Sequence, residues 1–101
     1  QRKNGAALAQ LAQSLGTNGY VTLAGGFTFQ WGVTSQTTST TRSVTFPVAF
    51  SSACYGAHAM CGDLTTGTQA ESYVSSLSTT GFTINDQSGD NVRFYWFAYG
   101  Q

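Results

Sequence analysis

From Phe27 to Thr34 the residues alternate without a break. Phe27, Phe29, Trp31 and Val33 fall on one side, and Thr28, Gln30, Gly32 and Thr34 on the other. A period of two marks a half-buried strand, and a strand needs partners to pair with. The rest of the chain supplies them. Residues 20–23 form a short strand that reaches 27–34 through Ala24-Gly25-Gly26. Residues 42–48 follow, with Val44, Phe46 and Val48 inward and Pro47 confining the strand to an edge or a bulge. Residues 53–62, 69–75 and 79–85 make three more, the last presenting Phe82 and Ile84. In residues 92–99, Val92, Phe94, Trp96 and Ala98 share one face, and Arg93, Tyr95, Phe97 and Tyr99 the other. About seven short strands with a turn signal roughly every ten residues predict an all-β chain folded as an antiparallel β-sandwich. The expected core is Phe27, Phe29, Trp31, Phe46, Phe82, Phe94 and Trp96.

Ahead of the strands the period changes. Asn4 can cap a helix, Leu8, Leu11 and Leu15 follow at spacings of three and four, and Gly16 ends the run. The expectation is a short N-terminal helix within residues 1–19, a stalk junction, and a β-domain over 20–101. A helix of about 11 residues is marginal alone, so its leucines would pack on copies of themselves. The last strand is apolar on both faces: one fits the core of the sandwich, the other a neighbouring chain. Leu8, Leu11, Leu15, Tyr95, Phe97 and Tyr99 are therefore the expected interface between subunits. The chain opens at Gln1 rather than methionine, and the expectation is a piece of a longer protein.

Charge narrows the function. Only 8% of the 101 residues are charged, four Lys/Arg against four Asp/Glu. Nucleic-acid affinity depends on clustered cations that release counterions, so nucleic acid is not the expected partner. No apolar run approaches the roughly 20 residues of a membrane span, and membrane insertion is not expected either. Cys54 and Cys61 lie seven residues apart in one extended stretch, about 23 Å at roughly 3.3 Å per residue, beyond the reach of a disulfide. Two free, buried thiols on opposite faces are expected, as in a protein folded in a reducing cytosol. His58 is the sole histidine. Along a strand it shares a face with Cys54 but not with Cys61, a poor zinc set, so no metal is expected. Asp86 with Asp90, or Asp63 with Glu71, could pair for glycoside hydrolysis. Solvated loop carboxylates are the simpler account. With no phosphate-binding glycine loop either, neither catalytic residues nor a cofactor are expected.

Binding remains. Serine and threonine number 26, and neutral, hydroxyl-dense sugars suit hydroxyl and amide loops with tyrosine platforms. If successive strands reverse direction, loops 35–41, 63–68 and 86–91 gather at one end, and 24–26, 50–53 and 76–78 at the other. The candidate glycan contacts are then Gln36, Thr40, Arg42, Asp63, Gln69, Tyr73, Asp86, Asp90 and Asn91.

Four motifs occur in order: Phe29-Gln30-Trp31-Gly32 after a glycine turn, Val44-Thr45-Phe46-Pro47-Val48-Ala49-Phe50 leading to Cys54, Gly81-Phe82-Thr83-Ile84, and Phe94-Tyr95-Trp96-Phe97-Ala98-Tyr99-Gly100. With the lead-in Leu15-Gly16-Thr17-Asn18-Gly19-Tyr20, residues 8–101 resemble the C-terminal receptor-binding tip domain of phage tail fibres. That domain occurs in Mu- and P2-like phages, prophages and tail-like bacteriocins. The resemblance implies a homotrimer at the distal tip of a virion tail fibre that attaches to a host through lipopolysaccharide or another surface saccharide. It further implies folding in the bacterial host cytoplasm, often with an assembly chaperone. The family has no catalytic residues to carry over, and its receptor contacts lie in variable loops. The chain lacks the His-x-His iron repeat of some other fibre tips. Two other readings are a structural trimerisation cap of a fibre and an accessory carbohydrate-binding module of a secreted enzyme.

Overall fold

The computed structural model describes residues 10–62, 72–86 and 91–101. It contains β1 (Gln10–Ser14), β2 (Gly19–Leu23), β3 (Thr28–Val33), β4 (Thr41–Thr45), β5 (Cys54–Gly62), β6 (Ser72–Ser75), β7 (Gly81–Asp86) and β8 (Arg93–Gly100). They build a five-stranded sheet in the order β1-β2-β3-β8-β5 and a three-stranded sheet in the order β4-β7-β6. Every pairing is antiparallel. The all-β, two-sheet architecture read from the sequence is the architecture of the protein.

The expected N-terminal helix is not found among the described residues, and residues 1–9 lie outside them. Gln10–Ser14 is a strand, paired to β2 through Ala12↔Thr22, Gln13↔Val21 and Ser14↔Tyr20. A lone helix of about 11 residues is marginal in water, whereas β2 offers an edge with unpaired ladder groups, and pairing wins. Leu15 lies just past β1 and is 66% exposed. Leu8 and the side chain of Leu11 lie outside the described residues. The sheet thus starts well ahead of residue 20.

The core lies between the sheets. Val44, Phe46, Phe50, Phe82, Ile84, Val92, Phe94, Trp96 and Ala98 are buried there. Phe46 is its hub, with ring centroids 5.0 Å from Phe50, 5.7 Å from Phe82 and 5.8 Å from Trp96. Phe82 meets Trp96 edge-on at 5.6 Å, a geometry worth about 0.5–1.5 kcal/mol beyond burial.

The alternation in β3 is real, but its faces are the reverse of the expectation. Thr28, Gln30 and Gly32 are buried, while Phe27 and Phe29 are exposed and Trp31 and Val33 half-buried. Each inward polar group has a partner. Thr28 Oγ1 lies 3.0 Å from Thr22 Oγ1 across the β2–β3 pair. The Gln30 carboxamide donates to Val48 O at 2.6 Å and accepts from Val48 N at 3.1 Å. Gly32 leaves room for the indole of Trp96, its register partner on β8. The inner space over β3 is thus filled by side chains from β8 and the 46–53 connection.

A second correction concerns the cysteines. Both are half-buried, and both pack toward the core. A bulge between Cys54 and Gly56 adds one residue to β5, so the odd spacing no longer separates their faces. His58 is exposed on the opposite face, opposite Phe97, so Cys54, His58 and Cys61 do not converge.

Candidate functional site

Two surfaces stand out, and the sheet topology explains both. The first is the outer face of the five-stranded sheet. In β8, Tyr95, Phe97 and Tyr99 point away from the core, and the register sets Val33, Trp31 and Phe29 of β3 opposite them. From the other side β5 presents Met60, His58 and Gly56. The rings form an ordered row. Phe29 stacks on Phe97 at 5.7 Å and 4°, and His58 stacks on Phe97 at 4.9 Å and 22°. His58 also lies nearly parallel to Tyr99, 6.2 Å away. Glycines keep the rings low: a Cβ at Gly56 would come within 2.8 Å of the Tyr99 hydroxyl, and one at Gly62 would enter the Tyr95 ring. Trp31 closes the row over Gly19, its indole N–H donating to Gly16 O at 2.8 Å.

In the single chain Phe29, His58, Met60 and Tyr95 are exposed to solvent, and Trp31, Phe97 and Tyr99 are half-buried. Met60 is 61% exposed and Tyr95 46%. Monomers rarely show a contiguous apolar patch larger than a few hundred Å2. The expected interface residues Tyr95, Phe97 and Tyr99 all belong to this face. Phe29, Trp31, His58 and Met60 extend it; in the sequence Phe29 and Trp31 read as core, because aromatic residues alternate there with threonine and glutamine, and no local pattern marks His58 or Met60. Gly32 on the polar side, too small to fill an outer surface, was the available clue.

The second surface is the end of the sandwich that collects the β3–β4 and β7–β8 connections. Thr37 bridges Val92 through paired backbone bonds of 3.1 and 3.2 Å. Gln36 donates to Asn91 O at 3.2 Å and accepts from Arg93 Nη2 at 3.2 Å. Thr40 O accepts from Asp86 N at 2.8 Å. Gly62, where β5 ends, pairs with Arg93, and Ser72, where β6 begins, pairs with Asp86. The parity expected of the loops therefore holds for these anchors, because every ladder is antiparallel even though β8 inserts between β3 and β5.

Of the candidate glycan contacts, Gln36, Thr40, Tyr73 and Asn91 are exposed. Asp63, Gln69 and Asp90 lie outside the described residues. Arg42 and Asp86 are corrections to the picture of solvated loop groups. Both are buried, and Arg42 Nη1 meets Asp86 Oδ2 at 3.2 Å with side-chain exposures of 4% and 0%. Arg42 Nη2 also donates to Thr37 O at 2.7 Å and Val92 O at 3.1 Å, and its guanidinium lies 4.8 Å above the Phe94 ring. Arg42 is the internal tie that holds the two connections side by side. A charge at that depth survives only because acceptors surround it.

Residues 22–101 match the family model of the gp53-like tail fiber protein, C-terminal. Among solved structures, an N-truncated R2-type pyocin tail fiber is similar at 27% identity and a TM-score of 0.81, over 96% of this chain and 39% of that one. The C-terminal part of the P. aeruginosa R2 pyocin fiber is similar at 27% identity and a TM-score of 0.78, over 89% of this chain and 25% of that one. An N-truncated R1-type pyocin tail fiber shares the fold at 23% identity and a TM-score of 0.74, over 89% of this chain and 84% of that one. The chain thus spans well under half of the R2-type fiber chains it matches. No curated protein sequence matches it.

Proposed function

The chain belongs to the gp53-like tail fiber protein C-terminal family, and from that premise we propose that it is the receptor-binding tip of a phage or tailocin tail fibre. In this reading three copies associate through the aromatic outer face of the five-stranded sheet, and the opposite resource, the hydroxyl-rich loop end, holds a host surface saccharide such as lipopolysaccharide. The tip binds and does not cleave. It folds in the host cytoplasm, where an assembly chaperone would shield the aromatic face before subunits meet.

The observation that carries the reading is the separation of the two surfaces. One is aromatic and apolar and built across β3, β8 and β5, as a permanent contact between subunits needs. The other is rich in hydroxyl and amide groups, held by Arg42 beneath it. Neutral donors and acceptors bind a sugar weakly one at a time, and three copies on one cell surface raise the effective concentration. An end-cap without receptor function would need only the first surface.

Sedimentation of the purified chain, paired with a bacterial oligosaccharide array, tests both halves. The expected results are the mass of a trimer and retention of lipid-free lipopolysaccharide oligosaccharides. The mass of a single chain defeats the assembly half, and an array with no retained oligosaccharide defeats the receptor half.

A further inference from the structure

A cleft of about 460 Å3 opens between the two sheets beside β4, next to the loop end. Its wall includes Arg42, Ser43, Val44 and Thr45 in succession. In a strand, neighbouring residues point to opposite faces, so four in a row line one cleft only where the strand's open edge borders it. β4 is such an edge, since among the described residues it pairs with β7 alone. The facing wall is Asn18 and the end of β3 with Thr34, and Trp96 lies against it from the core.

One buried donor here lacks an acceptor among the described residues. Arg42 is buried, yet its Nε–H finds no acceptor among the described residues. Asn18 is exposed on the rim of the cleft and accepts from Val33 N at 3.0 Å through Oδ1. A buried donor without an acceptor is costly unless a ligand or water supplies one. The volume lies within the roughly 300–1,000 Å3 of small-ligand clefts, and convergent polar groups beside an aromatic ring are the usual way such clefts fix a ligand.

We propose that this cleft is the saccharide subsite of the tip: a sugar residue lies along the β4 edge, its hydroxyls paired with Ser43, Thr45 and Asn18 and its ring near Trp96. The assignment rests on the receptor reading above and moves the contact from the outermost loop residues into the groove beneath them. Each of its parts is neutral or already neutralised, because Asp86 balances Arg42. A polyhydroxylated ring is therefore the matching chemistry, in preference to a free anion. An extended peptide pairing with the β4 edge is the competing occupant, and the experiment separates the two.

The test uses the intact chain and lipid-free O-antigen and core oligosaccharides of bacterial lipopolysaccharide. Ser43→Tyr and Thr45→Tyr place bulk at exposed, strand-compatible positions on the cleft rim. Ser51→Tyr, in the connection at the other end, is the control. Each variant is first checked for an unchanged unfolding midpoint and sedimentation coefficient. The expected outcome is a loss of at least about tenfold in affinity for both cleft variants, with the control within about twofold of the parent. Parent-like binding by both cleft variants overturns the subsite and leaves the receptor reading standing. A crystal structure with a peptide strand of a second copy along β4 overturns it as well. If the parent chain retains no oligosaccharide, both readings fall together.

Discussion

The side chain of Gln30 clasps the backbone of Val48, donating to its carbonyl at 2.6 Å and accepting from its N–H at 3.1 Å. Gln30 is fully buried. Its carboxamide acts as a further rung of ladder between β3 and the segment that follows Pro47, a segment outside the described strands. This contact fixes the orientation of β3. Once Gln30 is committed inward, the strand's period of two commits Phe29 and Trp31 outward, and the aromatic face follows.

Replacing Gln30 with leucine keeps the volume but strands both backbone groups of Val48. The expected loss is about 2 kcal/mol, from the roughly 1–3 kcal/mol of an unsatisfied buried polar group. Thermal unfolding followed by circular dichroism should show a drop of roughly 10 °C at this chain size. A midpoint equal to the parent's would show that the clasp contributes nothing.

Arg42 and Asp86 invite a double-mutant cycle. Arg42→Met leaves a buried carboxylate, and Asp86→Leu leaves a buried guanidinium, each at an expected cost of about 3–5 kcal/mol. The double variant should be clearly less destabilised than the sum of the two, because neither charge is left behind. Additive costs in chemical denaturation would mean that the two side chains do not act as a pair.

The sequence made strand positions legible and strand orientation only partly so. The two-residue period of β3, the Gly25-Gly26 turn with φ of 95° and 94°, and the buried set Val92, Phe94, Trp96 and Ala98 all follow from local pattern. The direction of β3 does not, because it depends on Gln30 meeting Val48, 18 residues away, which no local pattern records. The same holds for Arg42, a charged residue near a loop that reads as solvated until Asp86, 44 residues distant, is seen beside it. The leucine spacing over residues 8–15 states a helical preference, and the free edge of β2 outweighs it. On the aromatic face, the last strand's double-sided pattern was readable, whereas its extension over β3 and β5 required the register.

The outer face should be separable from the core. Phe97→Ser and Tyr95→Ser remove apolar contact area from a surface that the single chain leaves open. The expectation is a shift from trimer to monomer across a concentration series in analytical ultracentrifugation, with a far-ultraviolet spectrum that stays β-rich. Unchanged trimer mass in the double variant would place the subunit contact elsewhere.

Cys54 gives a pH signature. Burial pushes its thiol pKa above the ordinary value, with the Gly56 backbone pulling back by a smaller amount. The folded state therefore keeps the proton to higher pH than the unfolded chain does. Stability from this group is complete below the unfolded pKa and is lost as pH rises through the folded one. Iodoacetamide should accordingly label native Cys54 more slowly than the denatured chain near pH 8, and the unfolding midpoint should fall as the solution is made more alkaline. Cys54→Ala should flatten that alkaline slope; an equal slope in the variant would assign it to other groups.

Two glycines under two aromatic residues, on opposite faces of one sheet, make the sharpest comparison. A Cβ at Gly32 would meet the Trp96 ring at 2.7 Å, with Asn18 Oδ1 also in its way, and Trp96 is buried and has nowhere to go. A Cβ at Gly62 would enter the ring of Tyr95, whose side chain is open to solvent and can swing aside. Gly32→Ala should therefore cost about 1–3 kcal/mol of folding stability, the usual penalty for overpacking a filled core. Gly62→Ala should unfold close to the parent temperature yet dissociate more readily, because the displaced Tyr95 ring no longer lies flat for a neighbouring subunit. Thermal unfolding and sedimentation velocity on both variants read the two effects separately. A Gly62→Ala variant that loses stability and keeps its mass would place Tyr95 in the service of its own chain's fold.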